Sequence, residues 1–144
     1  MDIKDVLRIL YEDIHSVCIG TIDEDGHPLT AVLDLMRADE SGIYVMTHKY
    51  KKVYRCLDTQ PYVSITGMTG EDFFHSRMVT FNGRVENLGG AMVDELLAAN
   101  PYLYRLFPIG RDNSDLDVFR FYDGLLDYQD FSVEPNVREQ FHLD

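Results

Sequence analysis

The sequence predicts a mainly β domain with peripheral helices, its antiparallel strands rolled into a small barrel of about six strands. Three observations lead there. Short runs of β-branched and apolar residues recur along the chain, Asp, Gly and Pro clusters separate them, and 144 residues with 45% hydrophobic content supply one well-packed core. Strands in so short a chain either expose sheet edges or close on themselves, and closure removes the aggregation risk of free edges. Ser16 to Ile22 is apolar on both alternating faces, Val17 and Ile19 against Cys18 and Ile22, which suits a barrel wall covered outside by helices or a second subunit. A polar-faced sandwich is the competing arrangement.

The elements follow in order. Ile3, Val6, Leu7, Leu10 and Tyr11 fall at helical spacing, with Asp2 placed to cap the first turn and the helix ending before Ser16. Ser16 to Ile22 and Leu29 to Met36 read as a hairpin around Asp23-Glu24-Asp25-Gly26, and Ile43 to Thr47 as the third strand of the same meander. Val53, Cys56 and Leu57 mark a short helix that stops at Pro61, before the strand Tyr62 to Thr66. Met78 to Glu86 is read as one strand with a bulge at Asn82-Gly83. Met92, Leu96 and Ala99 form a helical stripe ended by Pro101, a short helix or irregular segment spans Tyr102 to Phe107, and Gly110 to Asp117 is a polar loop. Val118 to Tyr122 and Leu125 to Phe131 are expected to complete the sheet. The domain thus spans 1–131, and 132–144 reads as a loosely held acidic tail.

Charge narrows the function. A net charge of −12 repels nucleic acid and anionic membrane. No run approaches the roughly 20 apolar residues that cross a bilayer, and Met1-Asp2-Ile3-Lys4-Asp5 lacks the order of a signal peptide, so a cytoplasmic location is expected. Cys18 and Cys56 read as buried free thiols. Five dispersed histidines give no metal spacing, and Asp23 to Asp25 lacks the spaced ligands of a calcium loop; no metal site is expected.

Against this acidic background, Lys49 to Arg55 holds four of the chain's 13 Lys and Arg. The cluster opens a predicted helix, where free N–H groups already favour anions and cations are mildly unfavourable. A phosphate bound there would accept the N–H groups and pair with lysine, with Thr47 as a hydroxyl donor. Alternatively the lysines are a solvated face pairing with Asp58 or the acidic hairpin turn. His48 is the histidine nearest this corner.

The order Thr21-Ile22-Asp23-Glu24-Asp25-Gly26-His27-Pro28, Gly42 to Thr47, Lys51-Lys52-Val53-Tyr54-Arg55-Cys56-Leu57 and Gln60 to Ile65 resembles that of the pyridoxamine 5'-phosphate oxidase-like flavoproteins, in particular their short bacterial branch. Asn82 to Glu86 and Tyr128 to Phe131 extend the likeness; the motifs persuade by their order. The resemblance implies an FMN-binding split β-barrel, with the flavin at the interface of a homodimer. It implies that Ala31, Val32 and Leu33 underlie the ring, that Met46 and Thr47 reach ring and phosphate, and that Lys51 and Lys52 hold the phosphate. Arg77 and Met78 match a region that approaches the flavin from the other subunit. Lys49 is added on electrostatic grounds. Where many members carry an arginine in strand two, this chain has Pro28-Leu29-Thr30-Ala31; a heme, a deazaflavin or no cofactor are the alternatives this departure leaves open. The implied function is that of an FMN-dependent oxidoreductase acting on an unknown small substrate, or of a flavin carrier without turnover. Only a short acidic stretch follows Phe131, which disfavours pyridoxamine phosphate oxidation itself. The aromatic Tyr102 to Phe107 segment is modest support for a dimer.

Overall fold

A computed structural model describes residues 1–144. The chain opens with an α-helix, α1 (Ile3–Arg8), whose first turn is closed by a reciprocal capping box between Asp2 and Asp5. It widens into a π-helical turn, Ile9–Ile14, and its buried Val6, Leu7, Ile9 and Leu10 enter the core as their spacing predicts.

The strands are β1 (Ser16–Ile22), β2 (Pro28–Asp34), β3 (Arg37–Asp39), β4 (Gly42–His48), β5 (Tyr62–Thr69), β6 (Arg77–Gly89), β7 (Leu116–Asp130) and β8 (Val137–Leu143). They form one 8-stranded antiparallel sheet, ordered β2-β1-β5-β6-β7-β4-β3 with β8 also on β7. Two further helices, α2 (Lys52–Thr59) and α3 (Val93–Ala99), pack against it. The larger core lies between the sheet, α1 and α2; a second cluster joins α3 to Tyr44, Leu116 and Val118 on the far side of β4 and β7.

This is the expected mainly β, antiparallel split-barrel class, but with eight strands in place of six and curled into a half-barrel whose end strands β2 and β3 do not pair with each other; there are also four local corrections. First, β4 does not continue the β1–β2 meander but lies between β7 and β3. It buries both faces, Ile43 and Val45 in the larger core and Tyr44 in the smaller, which an interior position allows. Second, Arg37–Asp39, between the expected second and third strands, forms the short strand β3. Third, the two expected final strands are one, β7, which bends at Asp123 (φ 46°) and Gly124. Fourth, the expected loose tail contains β8, paired with Gly124 to Asp130, with Leu143 1% exposed in the larger core and Arg138 2.7 Å from Asp127. Polar residues alternating with Phe141 and Leu143, after Arg138 and Glu139, hid this strand in an acidic stretch.

The bulge expected at Asn82-Gly83 is present, between Asn82 and Arg84, and lies opposite the bend of β7. A Cβ on Gly83 would come within 2.4 Å of Phe81 Cζ, and one on Gly124 within 2.2 Å of the Asn82 carbonyl oxygen. The two strands therefore bend together only because both carry glycine there. Gly124→Ala is expected to cost about 1–3 kcal/mol, as overpacking does. A urea unfolding midpoint equal to that of the unmodified protein would refute the backbone contact as a constraint.

Candidate functional site

The sheet's outer face, opposite the larger core, is read from the register. Val32, Cys18, Thr66 and Thr80 lie side by side across β2, β1, β5 and β6, and Thr30, Gly20, Ser64 and Asn82 form the next row. Neither row carries a charge in a chain that is 26% charged. Gly20, Ile22, Thr30, Ser64 and Asn82 line a groove of about 610 Å³ here, with Asp123 also in its wall. Beyond the rows, Met68 pairs with Met78, and Val32 and Met68 are 70% and 52% exposed.

The ring-strand residues divide between faces. Ala31 and Leu33 pack against the core, and Val32 alone presents its side chain to the outer face; β2 is an end strand of the sheet order, with one edge unpaired. Met46 and Thr47 divide likewise: Met46 packs on the smaller cluster, while Thr47 is 2% exposed and its hydroxyl has no hydrogen-bond partner. Met78 faces outward, whereas Arg77 is turned to Asp13 of its own chain, 3.1 Å away.

The basic corner comes together around the start of α2. Lys51 is its N-cap residue, no side chain caps the helix, and its first turn holds no acidic residue. The N-terminal N–H groups are therefore left to solvent or to an anion. Lys52 reaches Asp23 in the β1–β2 turn at 3.4 Å, and Lys49 lies 3.9 Å from Asp117. Neither Lys51 nor Arg55 has a carboxylate partner; Arg55 donates only a 3.4 Å bond to the Tyr50 carbonyl. Both sequence readings of the cluster thus find residues here: Lys52 pairs with the acidic turn, and Lys51 and the helix end remain open.

Beneath the corner is a polar network that sequence spacing does not signal. Asp117, cross-strand partner of Thr47, accepts from the Tyr54 hydroxyl at 2.6 Å and from Asn87 at 3.2 Å. The bond to Asp117 holds the Tyr54 hydroxyl above its ordinary pKa. His48 is 2.7 Å from Asp115, and that bond, with Arg111, holds Asp115 below the usual carboxylate range. Asp23 is also lowered, first by the His27 N–H, then by the Asp25 N–H and Lys52. Burial pushes the Cys56 thiol up, away from reactivity.

A mainly β domain whose antiparallel strands curl into a half-barrel, with few helices, is the architecture of split-barrel proteins. The family model described as pyridoxamine 5'-phosphate oxidase matches residues 3–122, and the chain belongs to that family. It is 24% identical over 103 residues to a pyridoxine/pyridoxamine 5'-phosphate oxidase of Haemophilus influenzae, covering 72% of this chain and 48% of that protein. The chain spans about half the length of the curated relatives it matches. Among solved structures, a NimC/NimA family protein from Clostridium acetobutylicum superposes with a TM-score of 0.74 at 20% identity, covering 96% of this chain and 92% of that one. A heme binding protein from Mycobacterium smegmatis gives a TM-score of 0.72 at 15% identity, covering 96% and 58%. At these identities the two structures show a shared fold. No helix is long and apolar enough to cross a membrane.

The carboxylates at this end set a pH dependence. Asp23 and Asp115 have folded-state pKa values below the ordinary 3.8, so their stabilisation is complete above that value and is lost as pH falls through the lower folded values. The contribution of these two carboxylates to the thermal midpoint should be level above about pH 5 and drop below the unfolded carboxylate range. Asp23→Asn should reduce the drop; an unchanged acid limb in that variant would contradict the assignment.

Proposed function

We infer that the chain is an FMN-binding flavoprotein that works as a homodimer, with oxidoreductase chemistry on a small substrate. The observation that carries this reading is the uncapped, acid-free start of α2 with Lys51 and Lys52 upon it, in a chain of net charge −12. A phosphate monoester turns that unfavourable arrangement into a favourable one. The buried, unpartnered Thr47 hydroxyl at the end of β4 fits a polar ligand at the same corner. Lys51, Lys52 and the first N–H groups of α2 would hold the phosphate, Lys49 and Arg55 would add positive potential in place of the strand-two arginine, and Val32 and the free edge of β2 would meet the ring. When bound, FMN supplies the two-electron chemistry; the protein supplies orientation and exclusion of water.

The dimer reading rests on the outer face. Uncharged rows that include exposed Val32 and have exposed Ile22 and Met68 beside them are unusual for a solvated surface and suit a partner. A second copy would bring its own Met78 to that face and enclose a ligand lying along it. Location in the cytoplasm is part of the same reading, since FMN and reduced nicotinamide donors are cytoplasmic reagents.

Protein purified from its host should be yellow, and the flavin should bleach under NADH or NADPH without air; binding without bleaching would favour the carrier role, and a Soret band in place of flavin absorbance would favour heme. Each charge-assisted phosphate contact is worth about 1.5–3 kcal/mol. Lys51→Ala with Lys52→Ala should therefore weaken FMN binding at least tenfold, measured by fluorescence quenching; unchanged affinity would place the phosphate elsewhere. Thr66→Glu puts a charge in the middle of the uncharged face and should convert the dimer to monomers in sedimentation velocity. A dimer of undiminished affinity would show that the face is not the interface.

A further inference from the structure

Where α1 gives way to β1 the backbone is distorted. The π-helical turn Ile9–Ile14 is followed by His15 at φ 65° and ψ −52°. Such a conformation is strained for a non-glycine residue, and both features concentrate at functional sites.

The His15 side chain shows what the distortion positions. Its Nδ1 lies 2.9 Å from the Tyr11 carbonyl oxygen, which only accepts, so Nδ1 carries a hydrogen. Its Nε2 lies 2.8 Å from the Tyr102 hydroxyl. That hydroxyl is in turn 2.6 Å from Asp34 Oδ2, and Asp34 Oδ1 accepts from the Ser16 hydroxyl at 2.5 Å. Residues from the helix end, β1, β2 and the 3₁₀ segment Pro101–Arg105 meet at one point.

Counting hydrogens gives this cluster a property that a plain structural clasp does not need. With His15 neutral, the single Tyr102 hydrogen has two acceptors within reach, Nε2 and Asp34, and serves one. One added proton on Nε2 completes every bond: Nε2–H donates to the Tyr102 oxygen, and Tyr102 donates to Asp34. Gaining or losing that proton requires only rotation of one hydroxyl. Tyr102 itself stays neutral, because burial and then Asp34 push its pKa well above the ordinary value. The groups facing the imidazole are Tyr11 from the helix, Tyr102 from the 3₁₀ segment and Asp34 from β2, 3.8 Å away. The store remains open to a ligand, the His15 and Asp34 side chains being 27% and 34% exposed.

Its location links it to the outer face. Ser16 and Asp34 pair across β1 and β2 on the same face as Cys18 and Val32, two residues or about 7 Å along the strands. We propose that His15, Tyr102 and Asp34 form the proton-transfer site for reduction of a planar, uncharged conjugated carbonyl compound lying on the outer face beside Val32. This inference rests on the flavin reading. With reduced flavin bound, hydride passed to one end of the conjugated system would leave the electron pair on the carbonyl oxygen at the other end. That oxygen would take the Tyr102 hydrogen and Tyr102 the Nε2 hydrogen of His15, and the neutral imidazole would regain a proton from solvent while Asp34 keeps its charge.

Two measurements test this. In the ligand-free protein with ¹⁵N-labelled histidine, held at mildly acidic pH, both His15 ring N–H groups should be protected from exchange with solvent, and Tyr102→Phe should abolish protection at Nε2. In FMN-loaded, dithionite-reduced protein mixed anaerobically with menadione, Tyr102→Phe and His15→Asn should each slow flavin reoxidation at least tenfold and flatten its pH profile. FMN affinity and the thermal midpoint of Tyr102→Phe should stay near those of the unmodified protein. Normal FMN binding with unchanged menadione kinetics in both variants, or an Nε2 that exchanges like that of a solvated histidine, overturns the proton-transfer site alone. A protein that takes up no FMN sinks the flavin reading and this proposal together.

Discussion

The antiparallel pairing of β6 with β7, bent where Gly83 and Gly124 meet, is the contact on which the rest of the fold depends. A flat ladder of this length would present one continuous β7 edge to a single neighbour. The bend divides that edge, so that Leu116 to Phe121 pairs with β4 and Gly124 to Asp130 with β8. Each half then faces a different part of the molecule, and the sheet curls around α1 and α2. Phe81 rests against both glycines, so the space that a Cβ would need at either position is already taken by core and backbone.

Charge is distributed to match this geometry. Several acidic residues lie at turns and strand ends, where Asp23, Asp39 and Asp130 close their own loops through backbone N–H groups. The outer face of β1, β2, β5 and β6 is left without charge across its two central rows. Positive charge is gathered at the start of α2, the place where helix electrostatics resists it most. On the proposed reading, the uncharged sheet face would receive the flavin ring and a second copy of the chain, and the start of α2 would receive the phosphate.

Much of this was legible because it depends on local chemistry. The Asp2 cap, the apolar spacing of Ile3 to Leu10, the turn ending in Gly26, the bulge at Asn82-Gly83 and the α2 stripe of Val53, Cys56 and Leu57 each follow from a few neighbouring residues. What was misread involves distant partners. Tyr122-Asp123-Gly124-Leu125 has the composition of a turn, and only the facing Gly83 makes it a bend within one strand. Phe141 and Leu143 look isolated among charges until the outer half of β7 offers them an edge. The residues expected beneath the ring and phosphate were named as continuous runs, yet strand alternation sends Ala31 and Leu33 to the core and Val32 outward, and separates Met46 from Thr47 and Arg77 from Met78.

By itself the sequence determined the class of fold, the family and the chemical character of the basic corner, because periodicity, turn residues and local charge act over a few positions. Only the tertiary structure decided which edge β4 and β8 occupy, which lysine remains open once Lys52 has met Asp23, and that His15, Asp34 and Tyr102 share one proton network. Those outcomes depend on distances between residues up to 87 positions apart in the chain, and such distances are fixed by the curl of the whole sheet.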